Sequence, residues 1–168
     1  MSNTELGKKF EGIFAKDWKK CFPNTFFFRL KDQVSGYKEV SQNPCDFLAM
    51  NNGYMWMLEC KETKEGTINF SKIPQLDRLK DYIGLQNVQT YILVWFSSFD
   101  KIIACPAKEA LKMRADGKKS ISLKMLEDKS YYIIDLPSEK RIKYLETNYR
   151  YLIEEEVLNE CKTRECFK

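Results

Sequence analysis

The chain has 168 residues, of which 43% are hydrophobic and 14% aromatic, so it can bury the core of a folded domain. No apolar run approaches the roughly 20 residues of a membrane span, and residues 1–5 show no signal-peptide pattern. The sequence therefore predicts a cytoplasmic protein without a membrane partner. Histidine is absent, which excludes a His-dependent triad and a histidine metal site. We expect a single domain over residues 1–168, with a disordered tail from about residue 160.

The charge distribution and the cysteine spacing indicate where a polyanion could bind and which cysteine sites are absent. The net charge is +4, and residues 1–150 carry +6 because the remaining residues are acidic overall. The body of the chain is therefore the expected place for contact with a polyanion. The six cysteines show no C-x-x-C spacing, so we expect reduced thiols rather than a zinc site or a disulfide framework.

The first elements are a helix and a strand. Asn3 or Thr4 can cap a helix that runs to about Cys21, with apolar residues at helical spacing. Glu11 lies on the shoulder of the apolar stripe, where periodicity alone favours a solvated glutamate over one that reaches inward. A strand is predicted over residues 25–30, and the polar segment 31–42 reads as a loop over the active face.

The next segment carries the strongest local signal. Two apolar runs, residues 47–50 and 54–58, flank Asn51-Asn52-Gly53, which predicts a β-hairpin. This hairpin would bring Asp46 and Glu59 together on neighbouring strands. Because side chains alternate along a strand, Glu59 and Lys61 should project to one side while Cys60 points away.

Two carboxylates and a lysine at the end of a buried sheet indicate metal-assisted hydrolysis of a phosphate ester. Asp46 and Glu59 could hold Mg²⁺, which takes oxygen ligands and keeps waters for substrate phosphate oxygens. Lys61 could orient the attacking water and offset the charge of the transition state. The alternative is a solvated strand end, since Glu and Lys two residues apart are common on surface strands.

The second half of the chain should complete a mixed sheet. A helix is predicted from Pro74 to about Tyr82, with Gln75 in its first turn, where the pattern leaves its role open. The apolar strand 90–96 should pair in parallel with the strand that precedes the helix. An antiparallel strand at 101–104, a helix from Pro106 to about Met113, a short helix at 123–126 and a strand at 131–134 follow.

The last predicted element is a helix from about Glu139. Ser138 would cap it, and its apolar side would hold residues at helical spacing. Those residues are Ile142, Leu145, Tyr149, Leu152 and Leu158.

The motifs together resemble those of the RecU-type Holliday junction resolvases, a dimeric branch of the PD-(D/E)xK nucleases in Gram-positive bacteria and their phages. The resemblance is carried by Gly7-x-x-Phe10-Glu11, Asp46-Phe47, Glu59-Cys60-Lys61-Glu62-Thr63, Gln75 and Gly117-Lys118-Lys119-Ser120-Ile121. It implies an α/β fold with a restriction-endonuclease-like core, in which helices flank a mixed central β-sheet. The segment between Leu30 and Asp46 is shorter than the stalk that cellular members carry there.

The resemblance also implies roles for individual residues. Glu11 and Gln75 join Asp46, Glu59 and Lys61 in the catalytic set. The metal, Mg²⁺ with Mn²⁺ as a substitute, would be held by Asp46, Glu59, Glu11 and the carbonyl of Cys60. Basic side chains are candidates for contacts with the DNA backbone. They are Lys8, Lys9, Arg29, Lys64, Lys72, Arg78, Lys118 and Lys119.

Three functions remain open from the sequence. The first is an endodeoxyribonuclease that resolves four-way junctions by paired symmetric nicks, acting as a homodimer on branched DNA. The second is another PD-(D/E)xK endonuclease, restriction-like or nicking, that also cuts linear duplex. The third is a catalytically idle DNA-binding or recombination-modulating protein, although such a module gains nothing from burying uncompensated charge.

Overall fold

A computed structural model describes residues 3–31, 43–142 and 144–165. The side chains it describes within these ranges are those of residues 9–159. Most of the loop predicted at 31–42 lies outside the described residues.

The first helix and the central hairpin form as predicted. Helix α1 spans Asn3–Cys21 and buries Phe10, Phe14 and Trp18, which lie at helical spacing. Strand β1 (Phe27–Arg29) is shorter than the predicted strand. Strands β2 (Phe47–Asn51) and β3 (Tyr54–Thr63) pair antiparallel around the Asn-Gly turn.

A crossover then returns the chain to the sheet. Strand β4 (Thr67–Asn69) is followed by a 3-10 turn at Phe70–Lys72. Helix α2 covers Leu76–Leu79 and continues as a 3-10 turn over Lys80–Tyr82, so the predicted helix is a short and irregular one. Strand β5 (Val88–Phe96) pairs in parallel with β3, as predicted.

The sheet is extended by further antiparallel pairing. Strand β6 (Lys101–Pro106) pairs with β5, and helix α3 spans Ala107–Ala115. Strand β7 (Ser120–Ser122) pairs with β4 in a separate small sheet. A 3-10 turn follows at Leu123–Leu126, and β8 (Ile134–Leu136), where a strand at 131–134 was expected, pairs with β6.

The predicted helix from Glu139 is wrong. A hairpin of β9 (Ser138–Lys140) and β10 (Leu145–Thr147) occupies this segment, and Ile142 at its turn is 99% exposed. Helix α4 begins only at Arg150 and ends at Glu165. The backbone of residues 160–165, assigned to a disordered tail, is therefore helical.

The main sheet has six strands in the order β1-β2-β3-β5-β6-β8, and helices pack on both of its faces. One core cluster joins the sheet to α1 and α4 through residues such as Phe14 and Leu152. The other joins it to α2 and α3 through residues such as Leu79 and Met113. The predicted class, a mixed central sheet flanked by helices, is confirmed. Among the helices of the described ranges, none is long and apolar enough to span a membrane.

Candidate active site

Asp46 lies directly before β2, and its backbone is fixed on two sides. Its N–H donates to the carbonyl of Leu58 at 3.2 Å, and its carbonyl accepts from the N–H of Leu30 at 2.8 Å. The side chain meets β3, where Oδ2 accepts a hydrogen bond from the backbone N–H of Cys60 at 2.8 Å. The hairpin thus holds Asp46 beside the segment that carries Glu59 and Lys61.

Glu59 is a fully buried carboxylate, with 0% of its surface exposed. The ammonium of Lys61 lies 2.6 Å from its Oε1. Apart from this ion pair, neither oxygen has a hydrogen-bond donor among the described residues. Burial, reinforced by the charge of Asp46, raises the pKa of Glu59 to about 8 against the opposing effect of Lys61.

The charges of the site act on one another. Burial raises the pKa of Asp46, and the neighbouring Glu11 carboxylate raises it further. The Cys60 N–H, Lys61 and Arg29 oppose this rise. The carboxylates near the hairpin therefore carry more negative charge than the neighbouring Lys61 and Arg29 offset.

Glu11 reaches this cluster from α1. Its Oε2 accepts hydrogen bonds from Nε of Arg29 at 2.9 Å and from Nη2 of the same guanidinium. Its side chain is 16% exposed, and its charge acts on both Asp46 and Glu59. The solvated position that periodicity favoured is therefore incorrect, and α1 and β1 together place Glu11 at the edge of the site.

The cysteines near the site are buried neutral thiols. Cys60 points into the core cluster beneath α1, and burial raises its pKa well above the ordinary value. Burial likewise raises the pKa of Cys45 to about 12. Cys21, Cys45, Cys60 and Cys105 are free, as predicted, within the described part of the chain. Any role of Cys60 toward a metal is thus left to its backbone carbonyl.

Comparison with known proteins identifies the family. The profile of the RecU family, described as Recombination protein U, matches residues 26–149. The chain belongs to the RecU family. The predicted family and the predicted enzyme class, an endonuclease acting on DNA junctions, are therefore confirmed. The match covers Asp46, Glu59, Lys61 and Gln75 but begins after Glu11, whose assignment to the site rests on geometry.

Two solved structures resemble the chain at low identity. One is Hjc from Archaeoglobus fulgidus, a Holliday junction resolvase, with 19% identity and a TM-score of 0.43 over 70% of this chain and 86% of that one. The other is D212, a nuclease from a fusselovirus, with 13% identity and a TM-score of 0.36 over 87% of this chain and 82% of that one. A search of curated proteins found no significant match.

Gln75 is the RecU motif residue that stands apart from the acids. It lies directly before α2, and its buried Oε1 has no hydrogen-bond donor in the described ranges. Among the residues described, no hydrogen bond or ion pair joins Gln75 to Asp46, Glu59 or Lys61. Its catalytic role stays a prediction.

The basic candidates whose side chains are described fall into two groups and two single positions. Lys72, Lys118 and Lys119 are exposed near the small β4–β7 sheet, where the Phe70 N–H donates to the Lys119 carbonyl at 3.1 Å. Lys9 lies 5.6 Å from the centre of the Trp95 ring, and both Lys9 and Lys64 act on Glu62. Arg78 is half-buried in α2 and Arg29 contacts Glu11. Lys8 lies in α1, with a side chain outside those described.

The residues present fit a hard divalent cation. The candidate donors are carboxylate oxygens and one backbone carbonyl, and the oxygens of Glu59 are buried with a single ion-pair partner. In the described portion of the chain, no group of three His, Cys, Asp or Glu side chains forms a ready metal cage. Mg²⁺ suits such a site, because it binds through one or two carboxylates and completes its shell with water and phosphate oxygens.

Sequence reasoning missed the pairing of Arg29 with Glu11, since Arg29 was assigned to DNA contacts. Strand alternation could have found it. Arg29 shares a face of β1 with Phe27, which packs on Phe14 and Trp18 of α1. An arginine on that face must meet the helix that carries Glu11.

Proposed function

We propose that this RecU-family chain is an Mg²⁺-dependent endonuclease that resolves four-way DNA junctions by paired symmetric nicks, acting as a homodimer. The observation that carries the proposal is the convergence of Asp46, Glu59 and Lys61 at the β2–β3 hairpin, with Glu59 buried beside Lys61. A buried acid cluster of this kind is unfavourable unless a cation completes it.

The residues that would hold the metal are Asp46, Glu59, Glu11 and the carbonyl of Cys60. When bound, Mg²⁺ would polarise the scissile phosphodiester and neutralise charge on its oxygens, and Mn²⁺ is expected to substitute. Glu11 would stay within reach of the site because Arg29 holds one of its oxygens.

Lys61 is the residue proposed to act on the attacking water. Its ion pair with Glu59 fixes the ammonium at the site, where it can orient the water and stabilise the developing negative charge. In-line attack would leave a 5′-phosphate and a 3′-hydroxyl. The exposed lysines near the β4–β7 sheet would contact the phosphate backbone, which positions DNA without reading its sequence.

The test is cleavage of a synthetic four-way junction and of a linear duplex with the same arms, in Mg²⁺. Wild type should nick the junction symmetrically and leave the duplex intact. Asp46→Asn should lower the cleavage rate at least about 100-fold while junction binding remains, because the charge of a ligand carboxylate is lost. Asp77→Asn, an exposed acid paired with Arg114, serves as the matched control and should cut normally.

The other outcomes separate the remaining functions. Equal cutting of junction and duplex would leave a nuclease of the same fold without junction specificity. Binding of both substrates with no cutting by wild type would assign the chain to the idle DNA-binding class.

A further inference from the structure

A cavity of about 420 Å³ lies where β5 begins. Its walls come from the loop before β5, from α4, from the junction of β6 with α3, and from Tyr54 of β3. Strand register pairs residues 88–90 of its wall with residues 55–57, and the candidate-site residues Glu59 and Lys61 follow further along β3. The cavity is therefore separate from the candidate active site, and its volume is in the range of small-molecule sites.

The buried carboxylate of Glu156 lines this cavity from α4. Glu156 is 4% exposed, and its Oε2 accepts a hydrogen bond from the hydroxyl of Tyr91. Burial and the neighbouring Glu156 raise the pKa of Tyr91 well above its ordinary value, so the hydroxyl keeps its proton and donates it. A carboxylate has about four acceptor positions, so the bond with Tyr91 leaves capacity for a further donor.

No ion pair among the described side chains compensates the charge of Glu156. By contrast, Lys61 pairs with Glu59, the other buried glutamate of the described ranges. Lys108 lines the same cavity, but its side chain is exposed and lies outside ion-pair distance of Glu156. A glutamate is almost never fully buried without a pairing group. The cavity beside Glu156 is therefore the place where a compensating cation would lie.

The rest of the lining suits an organic cation better than a metal ion. Thr90, Gln89 and Asn159 bring neutral oxygen acceptors to the cavity, and Tyr54 brings an aromatic ring, which attracts an ammonium group over its face. Within the described part of the chain, no group of three His, Cys, Asp or Glu side chains could hold a metal ion. The volume is also far larger than a metal ion needs, so an amine with an alkyl chain fits the cavity better.

The loop wall of the cavity is fixed by backbone hydrogen bonds. The N–H of Met55 donates to the carbonyl of Asn87 at 2.8 Å, and the N–H of Val88 donates to the carbonyl of Leu85 at 3.2 Å. Gly84 and Asn87 have φ of 82° and 59°, which turn the loop back toward β5. The cavity is therefore formed before any ligand enters it, as small-molecule sites usually are.

We propose that this cavity binds a small organic amine, with the ammonium group of the ligand on Glu156. This binding function goes beyond the proposed nuclease and does not depend on it. The ammonium group donates several hydrogen bonds, which the Glu156 carboxylate and the neutral oxygens of the lining accept. Lys108 opposes a cation in the cavity, so its charge weakens binding, whereas an anionic ligand would be repelled by Glu156 and held by Lys108.

The test is isothermal titration calorimetry of the full chain with putrescine, a linear diamine, in the absence of DNA and Mg²⁺. Wild type should show saturable binding at a single site. Glu156→Gln, which keeps the size of the side chain and removes its charge, should weaken binding at least about tenfold. Lys108→Ala should tighten binding, because a like charge is removed. Glu154→Gln, at an exposed position of the same helix, is the matched control and should bind as wild type does.

The acids of the candidate active site also attract cations, so Asp46→Asn is titrated alongside and should bind putrescine as wild type does. Loss of binding in Asp46→Asn with full binding in Glu156→Gln would overturn the proposal, because the amine would then lie in the candidate active site. Absence of saturable binding by wild type would overturn it as well. Weaker binding by Lys108→Ala would do the same, since the cavity would then favour an anion.

Far-UV circular dichroism must show that Glu156→Gln is folded. If it is not, the amide chemical shifts of wild type decide the location: putrescine should shift the amides of residues 86–89 and leave those of residues 59–61 unchanged. The reverse pattern would overturn the proposal. Nα-acetyl-lysine amide is the second probe, and binding of this probe without binding of putrescine would replace the small amine by a lysine side chain of a protein partner.

Discussion

At the scale of single residues, the site is organised by one buried carboxylate. Glu59 has its charge compensated by Lys61 on one side and opposed by Asp46 and Glu11 on the other. Burial makes the charged form unfavourable in the metal-free protein, so the pKa of the group that would hold a cation is raised. The stability of the metal-free protein should report this directly.

Glu59→Gln should change how stability depends on pH. The pKa of Glu59 is raised from its ordinary value of 4.5 to about 8 in the folded chain. The stabilisation that Glu59 gives to the folded chain is therefore fully present below about pH 4.5 and is lost as pH rises through about 8. The free energy of unfolding should fall by about 1.4 kcal/mol for each pH unit across that window in wild type relative to Glu59→Gln.

The measurement is urea unfolding of the two proteins with a chelator at several values between pH 5 and pH 9. Glu154→Gln, at an exposed position of α4, should leave the wild-type pH dependence unchanged. Parallel pH profiles for wild type and Glu59→Gln would show that Glu59 ionises normally.

Arg29→Ala should weaken the binding of metal at the candidate site. Arg29 holds Glu11 and offsets the acids around Asp46, and removal of such a supporting contact typically weakens metal affinity about 10–100-fold. The Mg²⁺ concentration for half-maximal junction cleavage should rise accordingly. Arg114→Ala, which breaks the exposed pair with Asp77, is the control. An unchanged Mg²⁺ requirement with weaker junction binding in a chelator would instead make Arg29 a DNA contact.

At the scale of elements, the β2–β3 hairpin positions both halves of the site. Its turn residues Asn52 and Gly53 have φ of 51° and 78°, a left-handed turn that matches the twist of the paired strands. Any residue but glycine is strained at Gly53, although nothing lies within 4 Å of an added Cβ there.

Two glycine substitutions should therefore have opposite signs. Gly53→Ala should lower the free energy of unfolding by about 1 kcal/mol, because alanine resists the left-handed conformation. Gly12→Ala, on the exposed side of α1 with open space around it, should raise it by up to about 1 kcal/mol. Thermal or urea unfolding of the two variants measures both effects. Equal signs would indicate that backbone conformation does not decide stability at these positions.

The elements that local patterns specify were predictable. The Asn52-Gly53 turn between two apolar runs predicted the hairpin, and the apolar segment after α2 predicted the parallel partner of β3. The β9–β10 hairpin was missed because its sequence has helical spacing and good helix formers. It forms through distant contacts: the Thr147 N–H donates to the buried Asp17 carboxylate at 3.0 Å. Tertiary pairing of this kind overrides local propensity and cannot be read from periodicity.

The part of the candidate site that lies on one hairpin was predictable from the sequence, and the part that depends on tertiary packing was not. Asp46, Glu59 and Lys61 lie on one hairpin, so their meeting follows from local structure. The approach of Glu11 depends on how α1 packs on the sheet and on its bond with Arg29, which the periodicity of α1 does not contain. Gln75 shows the converse, since its motif position is clear while no described bond joins it to the acids.

At the scale of the whole molecule, each copy of the chain offers one candidate site. Resolution of a four-way junction requires cuts in two strands, which two identical sites related by a two-fold axis can supply. The function of each site within such a dimer can be separated by inactivating one of them.

A mixed dimer of wild type and Asp46→Asn should nick one strand where the wild-type dimer cuts two. Co-expression with two different affinity tags allows the mixed dimer to be purified, and a supercoiled plasmid with an extruded cruciform distinguishes the products. Wild type should yield linear plasmid, whereas the mixed dimer should yield nicked circles, because the subunit that carries Asp46→Asn cannot make the second cut. A wild-type dimer carrying both tags controls for the tags, and linear plasmid from the mixed dimer at the wild-type rate would mean that one site makes both cuts.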